Sequence, residues 1–178
     1  NATIDSLHYE ISKKLMSAGY DGFMEKPITP KKEELLSLRD IAKVKGVNLF
    51  VCHVLRYTPF YRSIKQNILD GKIGKITSIQ MSEHVCNMHY VESYVVGKWR
   101  SEKESGSTFM LAKSCHDTDL MCWFNNLTEP EEVASFGDRK IFIPENAPEG
   151  HTETCHTCPY EPTCKYSTNR IFFRSKFF

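Results

Sequence analysis

Residues 22–53, GFMEKPITPKKEELLSLRDIAKVKGVNLFVCH, carry the pattern of a strand, a helix and a second strand. A short apolar run at 22–25 comes first, and a helical pattern at about 31–45 follows it. Gly46 ends this helix, because glycine readily adopts the left-handed conformation at a helix C-terminus. The run 48–53 is apolar with little alternation, which is typical of a parallel strand covered on both faces. We therefore predict a βαβ unit with parallel strands.

The flanking sequence extends this alternation of helices and strands. Helices are predicted at about residues 7–18, 59–70 and 105–124, and strands at about 75–83 and 133–136. The chain begins on a helix with no strand before it, and two short strands leave most of a sheet's apolar surface uncovered. We therefore expect a fragment, the C-terminal part of a doubly wound α/β domain, whose missing strands come from an N-terminal segment or from a partner.

Composition excludes several functional classes. The chain has 178 residues, a formal net charge of +1 and 40% hydrophobic residues, which is typical of a globular protein. The near-neutral charge provides no basic face for nucleic acid. The apolar runs are far shorter than the roughly 20 residues that cross a bilayer. No secretion signal opens the chain, although a mature secreted domain would have lost one. The odd count of 7 cysteines favours a reducing compartment, so we expect a cytoplasmic protein.

The first group of candidate catalytic residues is Glu25-Lys26-Pro27, just past the C-terminal end of a predicted parallel strand. Ligands bind at this edge of open α/β sheets. A lysine placed there beside a nicotinamide ring can hydrogen-bond to a substrate hydroxyl or take its proton. The alternative is a solvated lysine that precedes a structural turn.

The second group comprises Lys113, His116 and Asp117, which share one face of a predicted helix because they are three and four residues apart. Three apolar residues lie along nearly the same stripe: Phe109, Leu120 and Phe124. The polar group is therefore expected to be partly buried, which is costly unless an anion or a substrate hydroxyl satisfies it. Histidine is suited to moving a proton near neutral pH. The alternative is a pair of Asp117 and His116 that packs two helices.

Four motifs occur in order along the chain: EKP at 25–27, HVLRYTP at 53–59, GKIGKI at 71–76 and KSCHDTD at 113–119. Together they resemble the glucose–fructose oxidoreductase and inositol dehydrogenase family, abbreviated Gfo/Idh/MocA. The resemblance implies an NAD(P)-dependent oxidoreductase with a nucleotide-binding Rossmann domain. An α/β domain follows in that family, with a large, open, mostly antiparallel sheet that often packs subunits together.

The resemblance also implies a domain division and residue roles. Residues 1–56 would belong to a partial Rossmann domain, and residues 57–178 to a partial C-terminal domain for substrate binding and oligomerisation. Lys26 would lie by the nicotinamide, and His116 would act as acid or base on the substrate carbinol. The expected cofactor contacts are Thr3, His8, Glu25, Lys26, Pro27 and Arg56, with an ordinary ion pair as the alternative for Arg56.

The sequence departs from the family in two respects. Many members have an aspartate four residues before the histidine, where this chain has Ala112 with Lys113 beside it. The positive charge of Lys113 would favour an acidic or phosphorylated substrate. The glycine-rich phosphate loop is also missing, because Gly71 and Gly74 follow a helix instead of joining a strand to one.

A cysteine cluster near the C-terminus has the spacing Cys155-x2-Cys158-x5-Cys164, with His151 and His156 nearby. Three thiolates and one histidine would complete a tetrahedral zinc site. An iron–sulfur cluster needs a similar thiolate set. Free or pairwise-oxidised thiols in a surface loop are the alternative.

These features lead to one functional hypothesis and two alternatives. We expect a dehydrogenase that transfers hydride between NAD or NADP and a sugar, cyclitol or similar polyol, and that is inactive as this chain alone. The first alternative is a non-catalytic binding or oligomerisation module of the same fold, associating as a homo-oligomer through its exposed sheet. The second is a zinc-stabilised interaction domain at about residues 151–166.

Overall fold

The structure is a computed structural model that describes residues 1–126 and 128–173. The strands are Gly22–Met24 (β1) and Leu49–Val51 (β2). The helices are His8–Ser17 (α1), Lys32–Lys45 (α2), Pro59–Leu69 (α3), Asn87–Tyr90 (α4), Glu102–Ser105 (α5), Phe109–Phe124 (α6) and Thr168–Phe172 (α7). A π-helical turn, Val91–Val95, follows α4, and 3₁₀ turns lie at Asp5–Leu7, Val54–Tyr57 and Pro144–Asn146.

The chain divides into two compact units. The first unit consists of Asn1–His84 and Ser101–Pro130, and the second of Val85–Arg100 and the chain from Glu131 onward. The polypeptide therefore leaves the first unit after α3 and returns to it before α5. The domain boundary at residue 56 implied by the family resemblance stays a prediction.

The predicted βαβ unit is confirmed. β1 and β2 pair in parallel, with Gly22 opposite Leu49, Phe23 opposite Phe50 and Met24 opposite Val51. α2 connects them and ends at Gly46, whose φ of +65° is the left-handed conformation expected for a terminating glycine. The carboxyl ends of both strands consequently lie at one edge of the sheet.

The core of this unit lies on one face of the sheet. Met16 of α1, Met24 of β1 and Leu38 of α2 are almost completely buried against one another. Because side chains alternate along a strand, Phe23 and Phe50 lie on the opposite face, where they are 67% and 56% exposed. One face of the sheet is therefore packed by helices, and the other is open in this chain.

Asn1 pairs with the outer edge of β1. Its amino group donates to the carbonyl oxygen of Phe23 at 2.5 Å, and its carbonyl oxygen accepts from the amide of Glu25 at 2.9 Å. In a parallel ladder, a residue donates its N–H to one residue of the neighbouring strand and accepts from the residue two positions further along. Asn1 has this pattern with Phe23 and Glu25. Residue 1 thus extends the pairing beyond the two strands.

The loop before α6 packs closely against the 3₁₀ turn Asp5–Leu7. Gly106 has a φ of +85°, and a Cβ atom at this position would lie 2.7 Å from the Ser6 backbone. The next residue, Ser107, donates its hydroxyl hydrogen to the buried carboxylate of Asp5. The hydroxyl of Thr108 then caps α6 by accepting from the amide of Leu111 at 3.2 Å. This loop fixes the start of α6 in the first unit.

Two strand predictions were wrong, and the expected antiparallel sheet is not confirmed: the sheet formed by the described residues is small and parallel. Residues 75–83 and 133–136 form no strand, because neither finds a ladder partner in the part of the chain that is described. Ile76, Ile79 and Met81 instead line a groove of about 490 Å³ together with side chains of α3. The strand pattern at 75–83 thus lies in a segment that belongs to neither a described strand nor a described helix.

In the second unit, helices are short and aromatic rings make many of the contacts. Tyr90 stacks on Tyr94 with a centroid distance of 5.9 Å, and its ring lies 5.8 Å from that of Phe142. Phe142 in turn meets Tyr166 edge to face at 4.8 Å. In neither unit is a described helix long and apolar enough to cross a membrane.

Candidate functional site

Lys26 connects the end of β1 to α6. It follows Met24 and Glu25 at the carboxyl edge of the sheet, and the Lys26–Pro27 peptide bond is cis. Its ammonium group donates to the carbonyl oxygen of Ala112 at 2.8 Å, across a sequence separation of 86 residues. Ala112 lies one helical turn before His116, so the two predicted catalytic groups are brought to one region of the molecule.

His8 supports the turn that presents Lys26. The ring is completely buried, with Nδ1 2.7 Å from the carbonyl oxygen of Pro27 and Nε2 3.1 Å from that of Thr3. The Thr3 hydroxyl donates to the side chain of Asn1 at 2.8 Å, and the Glu25 side chain is exposed. His8 was expected to contact the cofactor, but both of its ring nitrogens are directed at backbone carbonyl oxygens.

His116 and Asp117 each have a buried atom without a hydrogen-bond partner in residues 1–126 and 128–173. These atoms are Nδ1 of His116 and Oδ2 of Asp117. Buried polar atoms in native proteins are nearly always paired, and an exception calls for an explanation such as a ligand. Neighbouring Lys113 is partly buried on the same helix. The predicted polar group on α6 thus contains two buried atoms that lack a hydrogen-bond partner among the described residues.

Burial and neighbouring charges change the protonation of both groups. Desolvation lowers the pKa of His116, and the positive charge of Lys26 and the ring of His53 lower it further. Desolvation also raises the pKa of Asp117, and the carboxylate of Glu83 adds to this effect. His116 is therefore held in its neutral form, in which one ring nitrogen can accept a proton.

Asp119, one turn beyond Cys115 on α6, binds two residues that follow β2. Arg56 donates to both carboxylate oxygens, from Nε to Oδ2 and from Nη2 to Oδ1, each at 2.6 Å. His53 Nδ1 lies 3.0 Å from Oδ1. The hydrogen bond to Asp119 raises the pKa of Arg56, whereas burial lowers the pKa of His53 against the opposing effect of Asp119. Arg56 thus forms a partly buried ion pair with Asp119, and its contact with a cofactor stays a prediction.

His53 also meets His116. Their ring centroids are 5.9 Å apart, and the planes are inclined by 72°. Neither His53 nor Asp119 was predicted as a site residue, because the two lie in separate motifs that only the fold brings together. Their presence inside HVLRYTP and KSCHDTD was the one signal that could have identified them.

A surface cleft of about 300 Å³ lies beside these groups. Its lining includes Pro27 after β1, His53 after β2, and Cys115 and Asp119 on α6. Desolvation raises the pKa of the Cys115 thiol, which favours the neutral form of this side chain. The cleft therefore lies between the edge of the sheet and α6, and it is lined by the imidazole of His53 and the carboxylate of Asp119.

The predicted metal site is not supported. Among residues 1–126 and 128–173, no three His, Cys, Asp or Glu side chains are grouped so that they could hold a metal ion. Cys155, Cys158 and Cys164 are free thiols. The sulfur of Cys155 instead accepts from the amide and hydroxyl of Thr168 at the start of α7, at 3.5 and 3.3 Å. The spacing of the three cysteines therefore did not suffice to predict a metal site.

Comparison with known proteins identifies two family models on this chain. One, described as an oxidoreductase family with an NAD-binding Rossmann fold, matches residues 2–53. The other, described as the GFO/IDH/MocA C-terminal domain, matches residues 61–157. Between them they include Lys26 in the first matched segment and His116 in the second.

Relatives with similar sequences include two proteins of Bacillus subtilis. The putative oxidoreductase YteT is 30% identical over 167 residues, which are 91% of this chain and 38% of that protein. The scyllo-inositol 2-dehydrogenase (NADP(+)) IolW is 37% identical over 106 residues, 60% of this chain and 28% of that protein. The chain thus spans less than half the length of these relatives.

Two solved structures have a similar fold. Myo-inositol 2-dehydrogenase from Lactobacillus plantarum is 25% identical with a TM-score of 0.57, covering 71% of this chain and 38% of that one. Apo scyllo-inositol dehydrogenase from Lactobacillus casei is 25% identical with a TM-score of 0.54, covering 70% of this chain and 34% of that one. These similarities support a Rossmann-like α/β fold.

Proposed function

The chain belongs to the GFO/IDH/MocA family of oxidoreductases, and from this we propose that it forms part of an NAD(P)-dependent dehydrogenase acting on a sugar, cyclitol or similar polyol. The observation that carries the proposal is the 2.8 Å hydrogen bond from Lys26 to the carbonyl oxygen of Ala112. It holds the lysine of the sheet edge beside the helical turn that bears His116. Relatives named as inositol dehydrogenases support a polyol as the substrate class.

The residues of this chain fit the nicotinamide end of the cofactor. The carboxyl edge of a parallel sheet is where nucleotides bind in open α/β folds, and Lys26 lies at that edge. The unpaired buried atoms of His116 and Asp117 leave hydrogen-bonding capacity for bound molecules. The sequence contains no glycine-rich phosphate loop, so we assign this chain no part in holding the pyrophosphate. When bound, the nicotinamide would accept or supply a hydride.

His116 is the proposed acid–base group. The oxidation of a hydroxyl requires a base that takes its proton as the hydride leaves carbon. Burial and the positive charge of Lys26 lower the pKa of His116, so the ring is neutral and can accept that proton. The same imidazole would return the proton in the reverse reaction.

Lys26 is the proposed orienting group. An ammonium group has three N–H donors, and only one is needed for the bond to Ala112. The remaining donors can bind the oxygen of the reacting carbinol. Their positive charge would stabilise negative charge that develops on this oxygen during proton removal.

Asp117 and Lys113 are proposed substrate contacts. Oδ2 of Asp117 is buried and unpaired among the described residues, and a polyol provides many hydroxyl donors for it. Lys113 projects from the same helix and would favour a substrate that carries an acidic or phosphorylated group. Homo-oligomerisation through the sheet remains a prediction.

The test compares Lys26→Met with Lys14→Met, a change of an exposed lysine on α1, in the complete gene product. Reduction of NAD and NADP is followed with myo-inositol, scyllo-inositol and related sugars as substrates. We expect Lys26→Met to lower kcat by at least roughly 100-fold, and Lys14→Met to leave it unchanged. Full turnover by folded Lys26→Met would contradict the role of Lys26. Absence of turnover in the unmodified protein would favour the non-catalytic module.

A further inference from the structure

We propose that His53, oriented by Asp119 and Arg56, is a second proton-transferring group that receives the proton taken from the substrate by His116. This inference rests on the proposed function and extends it to a residue outside the predicted catalytic set. His53 is placed by the chain that follows β2, whereas His116 and Asp119 lie on α6. The contact between these segments is therefore what creates the proton path.

Asp119 fixes the tautomer of His53. A carboxylate only accepts hydrogen bonds, so the 3.0 Å contact with Oδ1 of Asp119 places the hydrogen on Nδ1 of His53. The Nε2 atom then carries the free electron pair and is the proton acceptor of the ring. Asp119 is in turn held by the bidentate hydrogen bonds from Arg56, which prevent the carboxylate from rotating away. Arg56 and Asp119 are thus positioning residues for His53.

The two imidazole rings are direct neighbours, with centroids 5.9 Å apart and planes inclined by 72°. The proposed transfer between their nitrogens would pass through one bridging water molecule. The O–H bond of the substrate breaks as His116 takes its proton, and the carbinol becomes a carbonyl as its C–H electron pair leaves with the hydride, for which the oxidised nicotinamide of the proposed function would be the acceptor. The imidazolium of His116 then loses its proton to Nε2 of His53 and becomes neutral again.

The surroundings of both rings oppose a positive charge. Burial, Lys26 and His53 oppose a positive charge on His116, while Asp117 and Asp119 favour it. On His53, burial, Arg56 and Lys26 oppose a positive charge, and directly bonded Asp119 favours it. Each ring disfavours charge on the other, so the pair is suited to carrying one proton at a time.

His53 also provides an exit for the proton. Its side chain is 21% exposed and lines the surface cleft, whereas Nδ1 of His116 is buried. A proton on His53 can therefore pass to water in the cleft.

A purely structural role for His53 makes different predictions. If His53 only packed the chain after β2 against α6, its removal would lower stability without changing the titration of His116 or the response of turnover to added proton acceptors. The decisive measurements are therefore a chemical rescue and a histidine titration.

The chemical rescue uses His53→Ala in the complete gene product, with exposed His84→Ala as the matched control. We expect His53→Ala to lower kcat by roughly 10- to 100-fold with little change in KM, and added imidazole to restore much of the loss. Unchanged kcat, or a loss that imidazole does not reverse, would overturn the proposal. If the unmodified protein is active and imidazole fails to restore the activity of His53→Ala, only the role of His53 is rejected. If the unmodified protein is inactive, the proposed function is rejected as well.

The titration follows the His116 ring resonances by NMR in the unmodified protein and in His53→Gln. Because His53 opposes protonation of His116, we expect the pKa of His116 to be higher in His53→Gln and unchanged in His84→Gln. An unchanged His116 titration in His53→Gln would overturn the coupling between the rings. This readout requires no turnover.

Discussion

Two histidines of the first unit, the buried His8 and the partly buried His116, have opposite surroundings. At the end of β1, both ring nitrogens of His8 lie within hydrogen-bonding distance of backbone carbonyl oxygens. On α6, Nδ1 of His116 is buried without a partner in the described residues. A satisfied buried group stabilises the fold, whereas an unsatisfied one weakens it and persists where it serves binding or catalysis. His8 is thus tied into the fold through both ring nitrogens, whereas His116, the proposed acid–base group, keeps a buried nitrogen unpaired among the described residues.

The same difference separates two cations that contact α6. Lys65 is buried and donates both to the carbonyl oxygen of Trp123, at 2.5 Å, and to the side chain of Asn126, at 2.8 Å. It thereby satisfies the C-terminal end of the helix. Lys26 is less buried and makes one such bond, to Ala112. Lys65 thus completes the end of the helix, whereas Lys26 has further N–H donors, which we propose bind a ligand.

The largest expected effect is on activity. His116→Asn should lower kcat by roughly 100- to 10,000-fold, because it removes the proposed acid–base group. The free energy of unfolding should change little, since the lost ring made no hydrogen bond through Nδ1 in the described structure. Steady-state kinetics and urea denaturation of the same preparation measure both quantities. A folded His116→Asn variant with normal turnover would remove the distinction between the two histidines.

His8→Ala should have the converse effect on stability. The substitution leaves a cavity and removes the imidazole that contacts two backbone carbonyl oxygens, and should lower the free energy of unfolding by about 3 kcal/mol. Urea denaturation measures this loss, with His84→Ala as the control for removing an exposed imidazole. An unchanged denaturation midpoint for His8→Ala would show that the buried ring is not a structural support.

Lys65→Met should have a smaller effect. Methionine retains an apolar stem but leaves the carbonyl oxygen of Trp123 without its ammonium donor, which should cost about 1 to 2 kcal/mol of unfolding free energy. Arg62→Met, on the exposed side of the same helix, is the control. Equal stability of the two variants would argue against a capping role for Lys65.

The smallest expected effect is that of pH on stability. Burial lowers the pKa values of His116 and His53 from their ordinary value of 6.5, so the unfolded chain binds more protons than the folded one just below that pH. The free energy of unfolding should therefore decrease as the pH falls below 6.5, and level off below the folded-state pKa values. In the double variant His53→Gln, His116→Gln this decrease should be shallower. Denaturation series at several pH values provide the measurement, and identical slopes would contradict the assignment.

Local patterns were sufficient to predict the βαβ unit and the main helices. The apolar runs around 22–25 and 48–53, and the glycine at residue 46, depend on interactions between near neighbours. The run 75–83 has an equally strong strand pattern, but a strand also needs a paired neighbour, and no described residue provides one. Local preference was therefore correct only where the partner lies close by in the chain.

The candidate site was predicted in part. Lys26 and His116 were identified from motifs, and the bond from Lys26 to Ala112 brings their regions together. The network of Arg56, Asp119 and His53 was not predicted, because Arg56 and Asp119 are 63 residues apart and either is compatible with a surface position. The thiol spacing that indicated a metal is compatible with many loop conformations, and only one of them would form a site.

The contact of Gly106 and Ser107 with the Asp5–Leu7 turn has a consequence for synthesis on the ribosome. The hydrogen bond from Ser107 to Asp5 joins residues 102 positions apart, with the second-unit segment Val85–Arg100 between them. A nascent chain can form the β1–α2–β2 unit early, but it has to wait for residue 107 before the turn meets its partner and α6 docks. During translation, the packed face of the sheet can therefore form first. The contact between His53 and His116 can form only later, when α6 has been synthesised.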